Sequence, residues 1–164
     1  MAENSGLRPV AALLLVLNFC MYVCVAVIGG WALNVAIDRG FIIGPGLQLP
    51  AHFSPVFFPI GNAASGFFVI FALLAGVVGA AAAVAGVGNL RSWNRETAPA
   101  AMAAALVAWA LTLLAMGLAC KEIHLEGRNA PLRTMEAFII ILSATQLFYV
   151  ATIHGASAIP PRHG

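Results

Sequence analysis

Few side chains in this sequence could do chemistry, and their spacing argues against catalysis. A serine nucleophile elbow, an HExxH pair, a glycine-rich phosphate loop and paired carboxylates inside an apolar stretch are all missing. His124 and His154 flank opposite ends of one apolar stretch, while His52 lies in a loop and His163 in a tail, so the imidazoles do not converge on a metal. Cys20 and Cys24 stand at helical i, i+4 spacing, yet packing cysteines have the same spacing. Together with Cys120 they sit in apolar segments and read as small hydrophobes, not as a disulfide framework. The expectation is a chain with no catalytic centre, no metal and no cofactor.

What remains is a small set of polar and aromatic residues inside apolar stretches, where such groups are costly and usually face a bundle interior or a water-filled path. On a helical wheel Asn18, Tyr22, Val25 and Gly29 share one face, and Cys20, Cys24, Trp31 and Asn34 share the other. One of these faces must look inward. Further along, Met102, Trp109, Thr112, Met116 and Cys120 fall on a single face, and Glu136, Ser143, Leu147, Val150 and His154 form a stripe with Gln146 and Tyr149 beside it. That stripe is the candidate lining of the interior. Asn18, Tyr22, Trp109, Thr112, Ser143, Gln146 and Tyr149 could simply bond between helices, each such bond contributing about 0.6 kcal/mol and up to about 2. Alternatively they line a substrate path, with Lys121, Arg133 and His154 at its mouths to meet an anionic group.

The elements that position these residues follow from charge spacing. Only 9% of the 164 residues are charged against 62% hydrophobic, too few charges to cover an aqueous surface. Four long stretches lack Asp, Glu, Lys and Arg: between Arg8 and Asp38, Arg39 and Arg91, Glu96 and Lys121, and Glu136 and Arg162. Each is long enough to cross a hydrocarbon core of ~30 Å as a helix, the only open-chain form that satisfies its own backbone there. The predicted architecture is all-α, a four-transmembrane-helix bundle in a single membrane domain over 1–164, with spans at about 9–37, 61–88, 99–120 and 135–154. The apolar run at the start is too long for a signal peptide and reads as an uncleaved first span, with Pro9 in its first turn.

Loop 38–60 carries Pro45, Pro50, Pro55 and Pro59, which forbid a regular helix, and its apolar half is expected to lie on the membrane surface or to fold back over the helix ends. Loop 89–98 places Trp93 between Arg91 and Arg95 at the interface, and loop 121–134 is the most polar, with Thr134 as expected N-cap of the last span and Glu136 in its first turn. The second span repeats small residues at fours, Ala72, Gly76, Ala80 and Ala75, Gly79, Ala83, a spacing that lets helix backbones approach closely and suggests a seam for a homo-oligomer. An even span count puts both termini on one side. Lys and Arg divide equally between the sides, and the acids around the third loop favour cytoplasmic termini. A net charge of +2, scattered along the chain, excludes a nucleic-acid partner and leaves membrane lipid as the expected surrounding.

The segments VAWALTLLAMGLACKEI at 107–123 and LRTMEAFIIILSATQLFYVATIHG at 132–155 closely resemble the plant AWPM-like family, the abscisic-acid-induced wheat plasma-membrane polypeptides. LNFCMYVCVAVIGGWALN in the first span and AGVGNLRSWN after the second resemble it too, so the likeness covers essentially the whole chain. The resemblance implies a tetraspan plasma-membrane protein of drought, cold and seed maturation that is associated with abscisic acid entry into cells. It carries over no ligand-binding residues. Two functions of different class follow: a carrier of this weak acid, or a structural, stress-protective membrane component that alters packing or partner assembly.

Overall fold

The computed structural model describes residues 2–39, 63–92, 96–124 and 129–158. They form four helices: α1 at Ala2–Arg39, α2 at Ala63–Ser92, α3 at Ala98–Ile123 and α4 at Ala130–Ala158. Each contains a stretch long and apolar enough to cross a membrane. The helices run up, down, up, down, and each packs on its two neighbours in the ring α1, α2, α3, α4.

The residues buried on each helix recur at alternating steps of three and four. On α3 they are Ala98, Ala101, Ala105, Ala108, Thr112, Ala115, Ala119 and Glu122. On α1 the same rhythm runs Ala11, Leu15, Asn18, Tyr22, Val25, Gly29 and Ala32, and on α4 Leu132, Met135, Ile139, Leu142, Gln146, Tyr149 and Ile153. A step averaging 3.5 residues falls short of the 3.6 of a straight helix, so the seams stay in contact only if the helices wrap around one another with a left-handed twist. The inward face of α3 is almost all alanine, which brings its backbone close to its neighbours. In lipid this matters more than side-chain hydrophobicity, because chain atoms and lipid tails are equally apolar and association rests on packing and hydrogen bonds.

The helix ends differ from the sequence expectation in three places. Pro9 lies inside α1, beyond its first turn; it withholds the N–H that the Ser5 carbonyl would have accepted, a loss that water can make good near a membrane surface. Thr134 is not the cap of α4: its hydroxyl donates to the Ala130 carbonyl within the helix. The cap is Asn129, whose Oδ1 accepts from the Leu132 N–H at 3.1 Å. Glu136 therefore stands beyond the first turn of α4, and α3 reaches Ile123 and carries Glu122 inside the helix. The loop 38–60 and Trp93 expectations fall largely or wholly outside the described residues.

Candidate functional site

The interior is not uniformly apolar. Counted along α3, hydrogen-bonded polar groups occur near residues 97, 105, 112 and 122, levels separated by roughly 10 to 15 Å at 1.5 Å per residue.

At the first level Thr97 Oγ1 donates to Asn89 Oδ1 at 2.9 Å, closing the α2–α3 hairpin. At the second, Asn18 Nδ2 on α1 donates to Gln146 Oε1 on α4 at 2.8 Å, and Gln146 Nε2 donates to the Ala105 carbonyl on α3 at 3.2 Å. Three helices are thus tied by two amides. At the third, Thr112 gives its one hydroxyl proton to the Ala108 carbonyl at 2.8 Å, so the Tyr22 hydroxyl must be the donor in its 2.9 Å contact with Thr112 Oγ1. At the fourth, Ser65 Oγ on α2 donates to Glu122 Oε1 on α3 at 2.6 Å. Trp109 Nε1 adds a lateral bond to the Ser143 carbonyl at 2.9 Å.

The amide level divides the core. On one side lies a cluster that includes Tyr22, Phe68, Val69, Met135, Ile139 and Leu142. On the other lies a smaller one with Ala11, Leu15, Ala83, Ala105, Tyr149 and Ile153. Asn18 is 1% exposed and Gln146 3%, so this polar step between two apolar plugs is sealed from its surroundings. Asn18 Oδ1 has no hydrogen-bond partner there, which in a buried site costs about 1–3 kcal/mol.

Of the residues singled out from sequence, the structure brings together Asn18 with Gln146, Tyr22 with Thr112, and Trp109 with Ser143. Tyr149 is buried and its hydroxyl lies over Gly86. Lys121 and Arg133 are exposed at one end of the bundle and His154 is exposed at the other, so the three do not share a site. The face of α1 left undetermined by sequence is now assigned: Asn18, Tyr22, Val25 and Gly29 look inward, whereas Cys20, Cys24, Trp31 and Asn34 look out.

Two expectations are corrected. Of the stripe Glu136, Ser143, Leu147, Val150 and His154 only Glu136 is buried; Leu147 and His154 are exposed and Ser143 and Val150 half-buried, so the stripe as a whole is not the lining of the interior. The heptad seam of Leu142, Gln146, Tyr149 and Ile153 takes that place, a rotation of about one residue. The repeat of small residues on α2 is not a seam for a second copy. Ala72, Ala75, Gly76, Gly79 and Ala83 are buried within the chain and Ala80 packs against its core. A Cβ on Gly76 would sit 2.8 Å from the Ala26 backbone nitrogen and 3.0 Å from the Tyr22 carbonyl oxygen, and Gly79 lies under the Tyr22 ring.

Sequence reasoning missed Ser65, Asn89 and Glu122, each buried, whereas Glu136, which it put both in the first turn and on the inward stripe, is 3% exposed. The usable signal was the heptad: Glu122 follows Ala115 and Ala119 at the step where the next inward residue must fall. Among the described residues no group of His, Cys, Asp and Glu could hold a metal ion.

Four antiparallel apolar helices closed around hydrogen-bonded polar levels define a multi-pass membrane bundle. The model of the AWPM-19-like family matches residues 16–156 of this chain. The rice (Oryza sativa subsp. japonica) protein named Membrane protein PM19L is 49% identical over 149 residues, covering 90% of this chain and 79% of its own length. No solved structure matches. The chain belongs to the AWPM-19-like family.

Proposed function

We propose that this protein is a plasma-membrane carrier, not an enzyme, that admits the weak-acid hormone abscisic acid during stress and seed maturation, with both termini in the cytoplasm. The observation that carries the reading is the sealed amide level of Asn18 and Gln146 between two apolar plugs, in a chain of this family. An amphipathic acid with an apolar ring needs a mostly apolar lining and a few placed polar groups. Sites near mid-membrane, flanked by closures on either side, are also where carriers hold their cargo.

A second reading, a structural or stress-protective membrane component, is favoured by a different observation. Three of the polar levels tie ring neighbours and Tyr22–Thr112 ties α1 to α3 across the bundle, while apolar side chains fill the space between them, as in a bundle built only to stay closed.

Uptake in proteoliposomes containing only this protein, driven by an acid-outside pH step, separates the two. Empty vesicles measure the leak of the protonated acid through lipid. Saturable uptake above that leak supports the carrier, and uptake equal to it supports the structural role.

A further inference from the structure

We infer that the amide level accepts the weak acid only in its protonated, uncharged form, with the acid's O–H donating to Asn18 Oδ1. This rests on the carrier reading above and names the species carried.

The argument is one of charge and of hydrogen-bond valence. Among the described side chains every arginine and lysine is exposed: Arg8 and Arg91 at one end, Lys121 and Arg133 at the other. The groups buried along the bundle are amides, hydroxyls, phenols and the two carboxyls Glu122 and Glu136. Ionised, a glutamate repels an anion; protonated, it is neutral. In neither state does it supply positive charge. A carboxylate entering the interior would lose its hydration without a cation to replace it, the costliest transfer a small solute can make.

A protonated carboxylic acid is neutral and carries one strong donor. At the amide level the matching acceptor is Asn18 Oδ1, without a hydrogen-bond partner and on a side chain 1% exposed. The Asn18 amide cannot satisfy itself by flipping, because its nitrogen side is held by Gln146 Oε1 at 2.8 Å. The acceptor is therefore fixed in orientation as well as open. Once across, the acid gives its proton to water on the far side, so each turnover moves one proton with one anion and no net charge.

The phenols Tyr22 of α1 and Tyr149 of α4 stand on either side of this level, and α3 contributes the Ala105 carbonyl to it. Gly79 under Tyr22 and Gly86 under Tyr149 bracket the stretch of α2 that faces it, which contains no charged residue. The pH dependence of uptake then belongs to the solute.

The test is initial-rate uptake of labelled abscisic acid by proteoliposomes of the full chain, with equal pH inside and out, at pH 5 and at pH 7, after subtracting empty vesicles. For an acid of ordinary carboxyl pKa, near 4, the half-saturating total concentration should rise roughly a hundredfold between the two and stay constant when expressed as neutral acid. A sulfonate analogue, charged at both pH values, should not compete. The shift should persist in Glu122→Gln, since the carboxyls are not its origin, and Asn18→Leu should abolish the saturable component. A half-saturating total concentration that ignores pH, competition by the sulfonate, or loss of the shift in Glu122→Gln each overturns the inference while leaving a carrier standing. Absence of any saturable component at either pH overturns the carrier reading itself.

Discussion

Replacing Gly76 by alanine adds a single methyl group and should be among the most damaging small changes in the chain. The new Cβ would lie 2.8 Å from the Ala26 nitrogen and 3.1 Å from its Cα, and both are backbone atoms of α1 that cannot rotate aside. Restoring ordinary contact at 3.4 Å requires α1 and α2 to separate locally by about 0.6 Å. Dispersion contacts fall steeply with distance, and a gap of 0.5–1 Å forfeits a quarter to a half of each one along the seam. Overpacking of this kind costs about 1–3 kcal/mol. Gly88→Ala is the control, because nothing lies within 4 Å of a Cβ there and alanine favours helix by up to about 1 kcal/mol. Unfolding both variants and the parent by steric trapping in bicelles should rank Gly76→Ala well below the parent and Gly88→Ala at or above it. Equal stability of the two variants would refute the close α1–α2 approach and the assignment of the small-residue face to the interior.

A double-mutant cycle of Asn18→Leu and Gln146→Leu should return a coupling energy of about 0.6–2 kcal/mol, each single change costing more because it strands a buried amide. For the Ser65–Glu122 contact, Glu122→Gln retains an acceptor and should unfold near the parent temperature in detergent, whereas Glu122→Ala should lose about 1–3 kcal/mol. Spin labels on Cys20 and Cys24, which the structure turns outward, should collide with dissolved oxygen and not with an aqueous nickel complex; the reverse would mean that α1 is rotated.

The sequence by itself determined the class, the number of spans and the family. These rest on properties that do not depend on neighbours: the spacing of fourteen charged residues along the chain, eight basic and six acidic, and long segments of distinctive wording at 107–123 and 132–155. It also contained the heptad in every span. A wheel drawn on one span cannot choose between faces such as Asn18–Tyr22 and Cys20–Cys24, because both mix polar, aromatic and small residues. Only the tertiary structure decided which face looks inward, since that choice is made by what each face meets on the other helices. Tyr22 needs Gly79 beneath its ring and Thr112 at its hydroxyl, and Asn18 needs Gln146. The same holds for Glu122, which reads as a loop acid beside Lys121 until the Ser65 hydroxyl, 57 positions away in sequence, is found against it. A polar side chain in lipid is placed by its partner, and partners distant in sequence are set by packing and not by local pattern.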